Sequence, residues 1–443
     1  MTLEFDRRDV ERAADGEAGA LLALGVQAGD SVGWLAHNSL RTLALLEACR
    51  RIGARYVPMN WRLAPAELAY IATHAGLQHL LHDTANAALA EQVRQRVTLP
   101  QPRAPGHVPG DLMLVYTSGT TGQPKGAIHT SAGMQANIDA AIEAQGFDAR
   151  TRVLAVLPMF HVGGLCIQVL PALAAGGRVK LQARFEPAAW LRDVAEWRPT
   201  TSLLVPAVMK AIVEHPAWPD ADLSSLRFVN SGSQVVPASL IQAFHARGVP
   251  VAQVYGGTET GPVSIVLRPQ DAMSQVGHCG RPALGVQVRL AADGEVLLRA
   301  PNLMRGYHRS DVPSFDAEGW FHTGDLAVQH ADGSYQIVGR SKELIISGGE
   351  NIHPAEIENL LMQHDDIAEC CVLGLPDARW GEVPVLVVVP RAGRQIDEAA
   401  LREMFDRSLA RFKHPRRIVV AETLPKTALG KVQRSALASL LSG

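Results

Sequence analysis

Between residues 17 and 83 the apolar and polar positions alternate between two patterns. EAGALLALGV, LRTLALLEACRRIG and PAELAYIATHAG place apolar residues every three to four positions, whereas SVGWLAH, ARYVPM and LQHLLHD are short, nearly continuous apolar runs. The first pattern is that of amphipathic helices and the second that of buried strands. Their alternation predicts β/α units around a parallel sheet. The rhythm returns with strand-like runs at 151–158, 178–182, 201–205 and 226–230, and with helical stretches at 187–197 and 237–247. Residues 99–110, LPQPRAPGHVPG, read as a Pro/Gly-rich connector. From 285 to 339 the texture changes: GVQVRL, DGEVLLRA and SYQIVGR are short strands set apart by Asp-Gly turns, which predicts a small antiparallel sheet or barrel. After Arg340, EIENLLMQH and AALREMFDRSLARF read as helices, and ECCVLGLP and VPVLVVVP as strands. The predicted class is α/β: a large N-terminal domain, residues 1–340, of parallel β/α layers with an antiparallel subdomain, then a smaller α+β domain, residues 341–443.

Composition narrows the function classes. A hydrophobic content of 47% with 19% charged residues is that of a soluble globular chain. The net charge of −2 gives no general attraction to nucleic acid or to an anionic membrane. No apolar run approaches the roughly 18 residues of a membrane span. The first residues, MTLEFDRRDVERAADGE, are charged and lack an apolar h-region, so no secretory signal is expected and the expected location is cytoplasmic. Cys49, Cys166, Cys279, Cys370 and Cys371 are odd in number and show no C-x-x-C spacing. They read as free buried thiols in a reducing compartment, not as ligands or nucleophiles.

The chemistry gathers in a few Gly- and hydroxyl-rich segments. Residues 116–126, YTSGTTGQPKG, follow the apolar run Leu112-Met113-Leu114-Val115. A strand that ends in free backbone N–H groups, hydroxyls and one lysine is built to hold phosphate. It is not a Walker A loop, because Lys125 lies between Pro124 and Gly126 and no Ser or Thr follows it directly. In YGGTETG, residues 255–261, two glycines allow close approach to the backbone and Glu259 supplies one hard oxygen suited to Mg²⁺. In WFHTGD, residues 320–325, Asp325 follows a Gly turn, as a carboxylate accepting ribose hydroxyls would. GRSKELIISGGEN, residues 339–351, offers Arg340 and a Gly pair, and PKTALGK, residues 425–431, offers Lys431 near the C-terminus.

Taken in order, YTSGTTGQPKG, YGGTETG, TGD, GRSKELI, SGGENIHPAEIE and PKTALGK make the chain resemble the adenylate-forming superfamily, and within it the AMP-forming acyl- and aryl-CoA ligases. The resemblance implies a two-step reaction. A carboxylate attacks the α-phosphate of Mg·ATP to give an acyl-adenylate and pyrophosphate, and the thiol of coenzyme A then displaces AMP. It implies that Thr117, Ser118, Gly119, Thr120, Thr121, Gly122 and Lys125 hold the β- and γ-phosphates, and that Glu259 holds Mg²⁺. Ser231, Gly232, Ser233, Tyr255 and Gly256 would lie along the adenine, Thr258 near the α-phosphate, and Asp325 and Arg340 at the ribose. Lys431 would bridge the acyl carboxylate and the α-phosphate.

The family also implies rotation of a mobile C-terminal domain about Lys342, with Ser347, Gly348 and Gly349 then lining a thiol tunnel. Trp380 and Phe412 match positions where aryl-CoA ligases stack the CoA adenine, and Arg411, Lys413, His414, Arg416 and Arg417 form a basic cluster beside them. The implied acyl pocket comprises His161 at a gate position, Val162, Gly163, Val205, residues 230–235, Gly256, Gly257, Val263 and Ser264, without a Lys, Arg or Asp among them. That composition points to a neutral apolar acid, aryl or short- to medium-chain alkyl, since an unpaired buried charge is costly.

The chain departs from the family pattern in three places. It is short before residue 17, short between residue 83 and the phosphate loop, and reads NSGSQVVP at 230–237 where a Gly-Gly-Ala/Glu start is usual. Two other readings stay open: a ligase that loads a carrier protein instead of CoA, and a nucleotide-binding protein without turnover. A homodimer is an open assembly.

Overall fold

The computed structural model describes residues 3–101, 107–117, 124–347, 350–377, 379–427 and 431–442. Among these residues the strands form five sheets. The six-stranded sheet runs in the order Gly306–Tyr307, Lys125–Thr130, Asp111–Thr117, Arg55–Met59, Ser31–Leu35, Leu77–His82. Its last four strands are parallel, as the alternating pattern predicts. Lys125–Thr130, which the pattern did not reveal as a strand, turns back antiparallel on Asp111–Thr117 with Thr117 opposite Lys125. A second, five-stranded sheet places Leu203–Leu204, Val229–Gly232 and Val251–Tyr255 in parallel, then adds Ile265–Leu267 and Arg281–Pro282 antiparallel. A three-stranded sheet joins Leu3–Phe5, Arg178–Leu181 and Arg152–Ala155.

Helix limits follow local chemistry. Pro65–Ala75 and Pro187–Trp197 open on proline, whose missing N–H has no partner in a first turn. Leu40–Ile52 and Pro65–Ala75 stop at Gly53 and Gly76, both left-handed, where a residue with Cβ is strained. The first helix, Arg7–Ala23, begins ten residues before the apolar period does, because Asp6 and Asp9 form a capping box. Conversely, the helix expected to reach Phe412 ends at Ser408. Helix Ser131–Gln145 escaped the periodic reading: Gly133, Met134, Asn137, Ala140, Ala141, Ala144 and Gln145 are all buried, so small and amide side chains replace an apolar stripe.

The antiparallel subdomain is a four-stranded sheet, Gln287–Leu290, Glu295–Arg299, Phe321–Gln329 and Tyr335–Arg340. WFHTGD is therefore not a turn before a carboxylate. Asp325 lies inside a nine-residue strand, and Gly324, at φ 71°, supplies a local kink within it. The C-terminal sheet is built on Ile367–Asp377 and Gly381–Pro390, with Ile345–Ser347, Glu350–Ile352 and Arg417–Val420 added. Its side chains sort with period two: Val372, Leu386 and Val388 pack with Ile357 and Phe405, whereas Cys371, Leu373, Val387 and Val389 pack with Leu424 and Leu437. All five cysteines are free thiols, four of them buried. Polar contacts join this unit to the rest, among them Lys210 Nζ donating to the Ala368 carbonyl at 2.9 Å and Arg391 paired with Glu214 at 3.1 Å.

Candidate active site

Thr117 and Tyr255 end parallel strands of two different sheets, and open parallel sheets bind ligands outside the carboxyl ends of their strands. The two ends are stitched together. The Thr117 hydroxyl donates to Glu259 Oε1 at 3.4 Å, and the Tyr307 hydroxyl donates to the same oxygen at 2.9 Å. Tyr307 lies in Gly306–Tyr307, at the edge of the six-stranded sheet opposite Ala127. Both bonds use Oε1, so Oε2 has no hydrogen-bond partner among the described residues. Glu259 itself sits on the 3-10 turn Thr258–Thr260. Its carbonyl accepts from Met304 N–H at 2.9 Å. The Lys125 ammonium lies 5.3 Å from the Tyr307 ring centroid, and the Tyr70 hydroxyl donates to the Pro124 carbonyl at 3.4 Å. Ser118, Gly119, Thr120, Thr121 and Gly122 lie outside the described residues. Tyr307 and Tyr70 carried no motif and were missed.

The glycines have internal reasons beside any ligand. A Cβ on Gly256 would stand 1.8 Å from the Pro262 carbonyl oxygen, and one on Gly232 would stand 2.3 Å from that of Val254. Ser231 and Gly232 are buried within the strand, and the Ser231 hydroxyl has no partner among the described residues. Ser233, exposed and left-handed at φ 71°, is the first residue of this segment to reach the surface.

Asp325 and Arg340 face each other across adjacent strands, with Arg340 Nε donating to Asp325 Oδ1 at 2.7 Å. The Tyr255 hydroxyl donates to the other oxygen, Oδ2, at 2.9 Å. Burial opposes the Arg340 charge, yet Asp325 outweighs it and holds the guanidinium more basic than usual. Burial, followed by the Asp325 charge, drives the Tyr255 phenol far above its ordinary value, so it stays a donor.

Lys431 is exposed as a residue, and Thr427 and Val432 shape its turn: its N–H donates to Thr427 Oγ1 at 3.2 Å, and Lys426 bridges to Val432. The pKa of its ammonium is nevertheless lowered, first by the protein that displaces water around it and then by Arg340, while Glu343 and Asp325 pull it back up. Lys431 is thus within the field of the Asp325–Arg340 pair, although some ninety positions separate them in sequence.

His161 caps the short helix Val162–Cys166. Its Nε2 is buried without a partner among the described residues, and its pKa is depressed to about 4 by burial and then by Arg62, so the imidazole is neutral. Phe160 lies against it with ring centroids 4.5 Å apart. On the C-terminal unit Trp380 and Phe412 keep 36% and 39% of their surface exposed. Arg379 and Arg416 stand over Trp380 at 4.8 and 5.7 Å. Of the basic cluster, Lys413 is already paired with Glu356 at 2.7 Å. Gly348 and Gly349 lie outside the described residues. The neighbouring Ser347 is buried opposite Gly381.

Chemically, the site offers one carboxylate oxygen beside Thr117, a carboxylate–guanidinium pair at Asp325 and Arg340, and a lysine from another unit whose ammonium that pair influences. The AMP-binding enzyme family model matches residues 5–308, and the AMP-binding enzyme C-terminal domain model matches residues 356–431. The chain is 39% identical to an indoleacetate–CoA ligase of Aromatoleum aromaticum, over 99% of this chain and 95% of that one. It is 38% identical to a feruloyl-CoA synthase of an Amycolatopsis species, over 97% and 91% respectively. The crystal structure of the anthranilate CoA ligase AuaEII in complex with anthranoyl-AMP superimposes with a TM-score of 0.89 at 27% identity, covering 98% of this chain and 91% of that one.

Proposed function

The chain belongs to the AMP-binding enzyme family and is an AMP-forming acid–CoA ligase, and from that premise we propose that its acid is a neutral aryl or arylalkyl carboxylate. One observation carries this reading: His161 is held uncharged by burial, and none of the other pocket positions bears a charged side chain. An amine on the substrate would be buried there without a counter-charge, at a cost of several kcal/mol, and Arg62, the cation that bears on His161, stands over the Trp61 and Phe160 rings. The aromatic acids named for the relatives favour an aryl acid over an alkyl one.

In this reading the acid's own carboxylate is the nucleophile. It is already ionised near neutral pH, so no general base is required. The residues have to hold one anion against another until the acid oxygen bonds to the α-phosphorus and pyrophosphate leaves. Lys431 serves both anions as a compact cation, and Asp325, oriented by Tyr255 and Arg340, accepts from the ribose. Thr258, next to Glu259 on its turn, lies by the α-phosphate. The CoA thiol then attacks the acyl carbon, and AMP leaves with the electron pair of the broken C–O bond.

The donor set also fits magnesium. Among the described residues no cluster of three or more His, Cys, Asp or Glu side chains forms a cage. A single carboxylate with one free oxygen suits an ion that takes its other ligands from phosphates and water. Glu259 Oε2 would hold Mg²⁺, which when bound neutralises charge on the phosphates. Trp380 and Phe412 would stack the CoA adenine, which favours CoA over a carrier protein.

The test is pyrophosphate release from a panel of indole-3-acetate, ferulate, phenylacetate, 2-succinylbenzoate, malonate and laurate, each with and without CoA. Monocarboxylic aryl acids should lead, with CoA consumed. A panel led by malonate or 2-succinylbenzoate would reject the neutral pocket.

A further inference from the structure

Arg434 opens the last helix, three residues after Lys431, and each nitrogen of its guanidinium faces an acceptor. Nη1 and Nη2 reach the Glu358 carboxylate at 2.8 and 3.0 Å, and Nη1 also donates to the Val372 carbonyl at 2.7 Å. Nε lies 3.2 Å from Oε2 of Glu343. Glu343 ends the three-residue turn Ser341–Glu343, where the chain leaves strand Tyr335–Arg340 for the C-terminal sheet. Arg434 therefore pins the base of the Lys431 segment to helix Pro354–Leu361, to strand Ile367–Asp377 and to the crossing itself.

The charges that act on the Lys431 ammonium belong to three elements: Arg340 and Asp325 to the four-stranded sheet, Glu343 to the turn, and Arg434 to the last helix. Two arginines beside a lysine disfavour its charged form. Of the two carboxylates, Asp325 has both oxygens engaged, by Tyr255 and Arg340. Glu358, the other acid at Arg434, is taken up by that guanidinium and by the Val372 N–H at 2.7 Å. Glu343, itself held by Arg434 at 3.2 Å, is the acid of Lys431's own unit that bears on its ammonium.

We propose that Glu343 is a positioning residue for Lys431 in acyl-adenylate formation, anchoring Arg434 at the base of the lysine segment and offsetting the cations that crowd the ammonium. Glu343 and Lys431 both follow residue 342, so they travel together in any movement about that point. The proposal rests on Lys431 being the adenylating lysine.

Single-turnover formation of acyl-AMP, followed against pH with the best acid of the panel above, tests it on Glu343→Gln, Glu343→Asp and Lys431→Ala. Glu343→Gln removes the charge and keeps the shape. The rate should fall about three- to fivefold, as for a half-exposed ion pair. The alkaline limb should move about half a pH unit lower, because a lysine that loses its acid neighbour loses its proton sooner. Glu343→Asp should restore both in part. An unmoved limb overturns the role of Glu343 whatever the rate does, since a loss of packing alone shifts no titration. Lys431→Ala separates the two levels. If it leaves acyl-AMP formation intact, the lysine assignment falls and this proposal with it. If it cripples that step while Glu343→Gln changes neither rate nor limb, only Glu343 is dismissed.

Discussion

Asp325 is bonded at both oxygens, by Tyr255 and Arg340, and Glu259 is held by Tyr307 and Thr117, whereas Lys431 is exposed and, among the described residues, is held at its backbone by Thr427. The acids of the N-terminal unit are fixed by groups from several strands before any substrate arrives. In the proposed reaction the cation of the C-terminal unit would be delivered to them on a segment whose anchorage, at Arg434, lies three residues away. The difference matters for catalysis. Groups that bind the nucleotide throughout both steps profit from being preorganised. A charge needed only in the first step is better placed on an element that can be withdrawn, as lids and mobile domains are.

The largest effect that tests this contrast is Lys431→Ala. Acyl-AMP formation should fall roughly 10²- to 10³-fold, the loss typical of one preorganised charge. Conversion of supplied acyl-AMP by CoA should stay near wild type. Equal losses in both half-reactions would mean that Lys431 is as permanent a part of the site as Asp325.

Acid should next separate the two units. Burial depresses His129 and His161 to about 4, so between about 6.5 and 4 the unfolded chain binds protons that the folded chain does not. Their contribution is whole above pH 6.5 and is lost as pH falls towards 4, by about 2–3 kcal/mol for each histidine. Both lie in the N-terminal unit. In the C-terminal unit His353 is lowered by burial, but less far. Differential scanning calorimetry from pH 7 to 4.5 should show the N-terminal transition moving down faster. Parallel shifts of both transitions would contradict the assignment.

The smallest effects come as a pair. Glu259→Gln should raise the Mg²⁺ concentration for half-maximal adenylation several-fold, since one anionic oxygen is lost while the phosphates remain. Trp380→Ala should raise the KM for CoA about three- to tenfold, equivalent to about 1 kcal/mol of stacking, and leave acyl-AMP formation unchanged. A Trp380→Ala enzyme with wild-type KM for CoA would remove Trp380 from the thiol-bearing substrate's path, and an unchanged Mg²⁺ requirement would remove Glu259 from the metal.

What depends on neighbours along the chain was legible residue by residue. Pro187 and Gly76 set helix limits that could be read residue by residue, and the apolar run VPVLVVVP became a strand buried on both faces. The order of six short motifs was enough for the reaction class. Which of the motif residues meet, and through whom, follows from how the sheets pack. Thr117 reaches Glu259 across 142 positions, and Tyr255 reaches Asp325 across 70. Such distances close through the register of strands in separate sheets, and no periodicity encodes that register. For the same reason Asp325 emerged inside a strand instead of after a turn, Ser231 emerged as buried, and Tyr307, one residue of a two-residue edge strand, became a partner of Glu259. Local propensity is written residue by residue, but a hydrogen bond between two sheets exists only once both have packed.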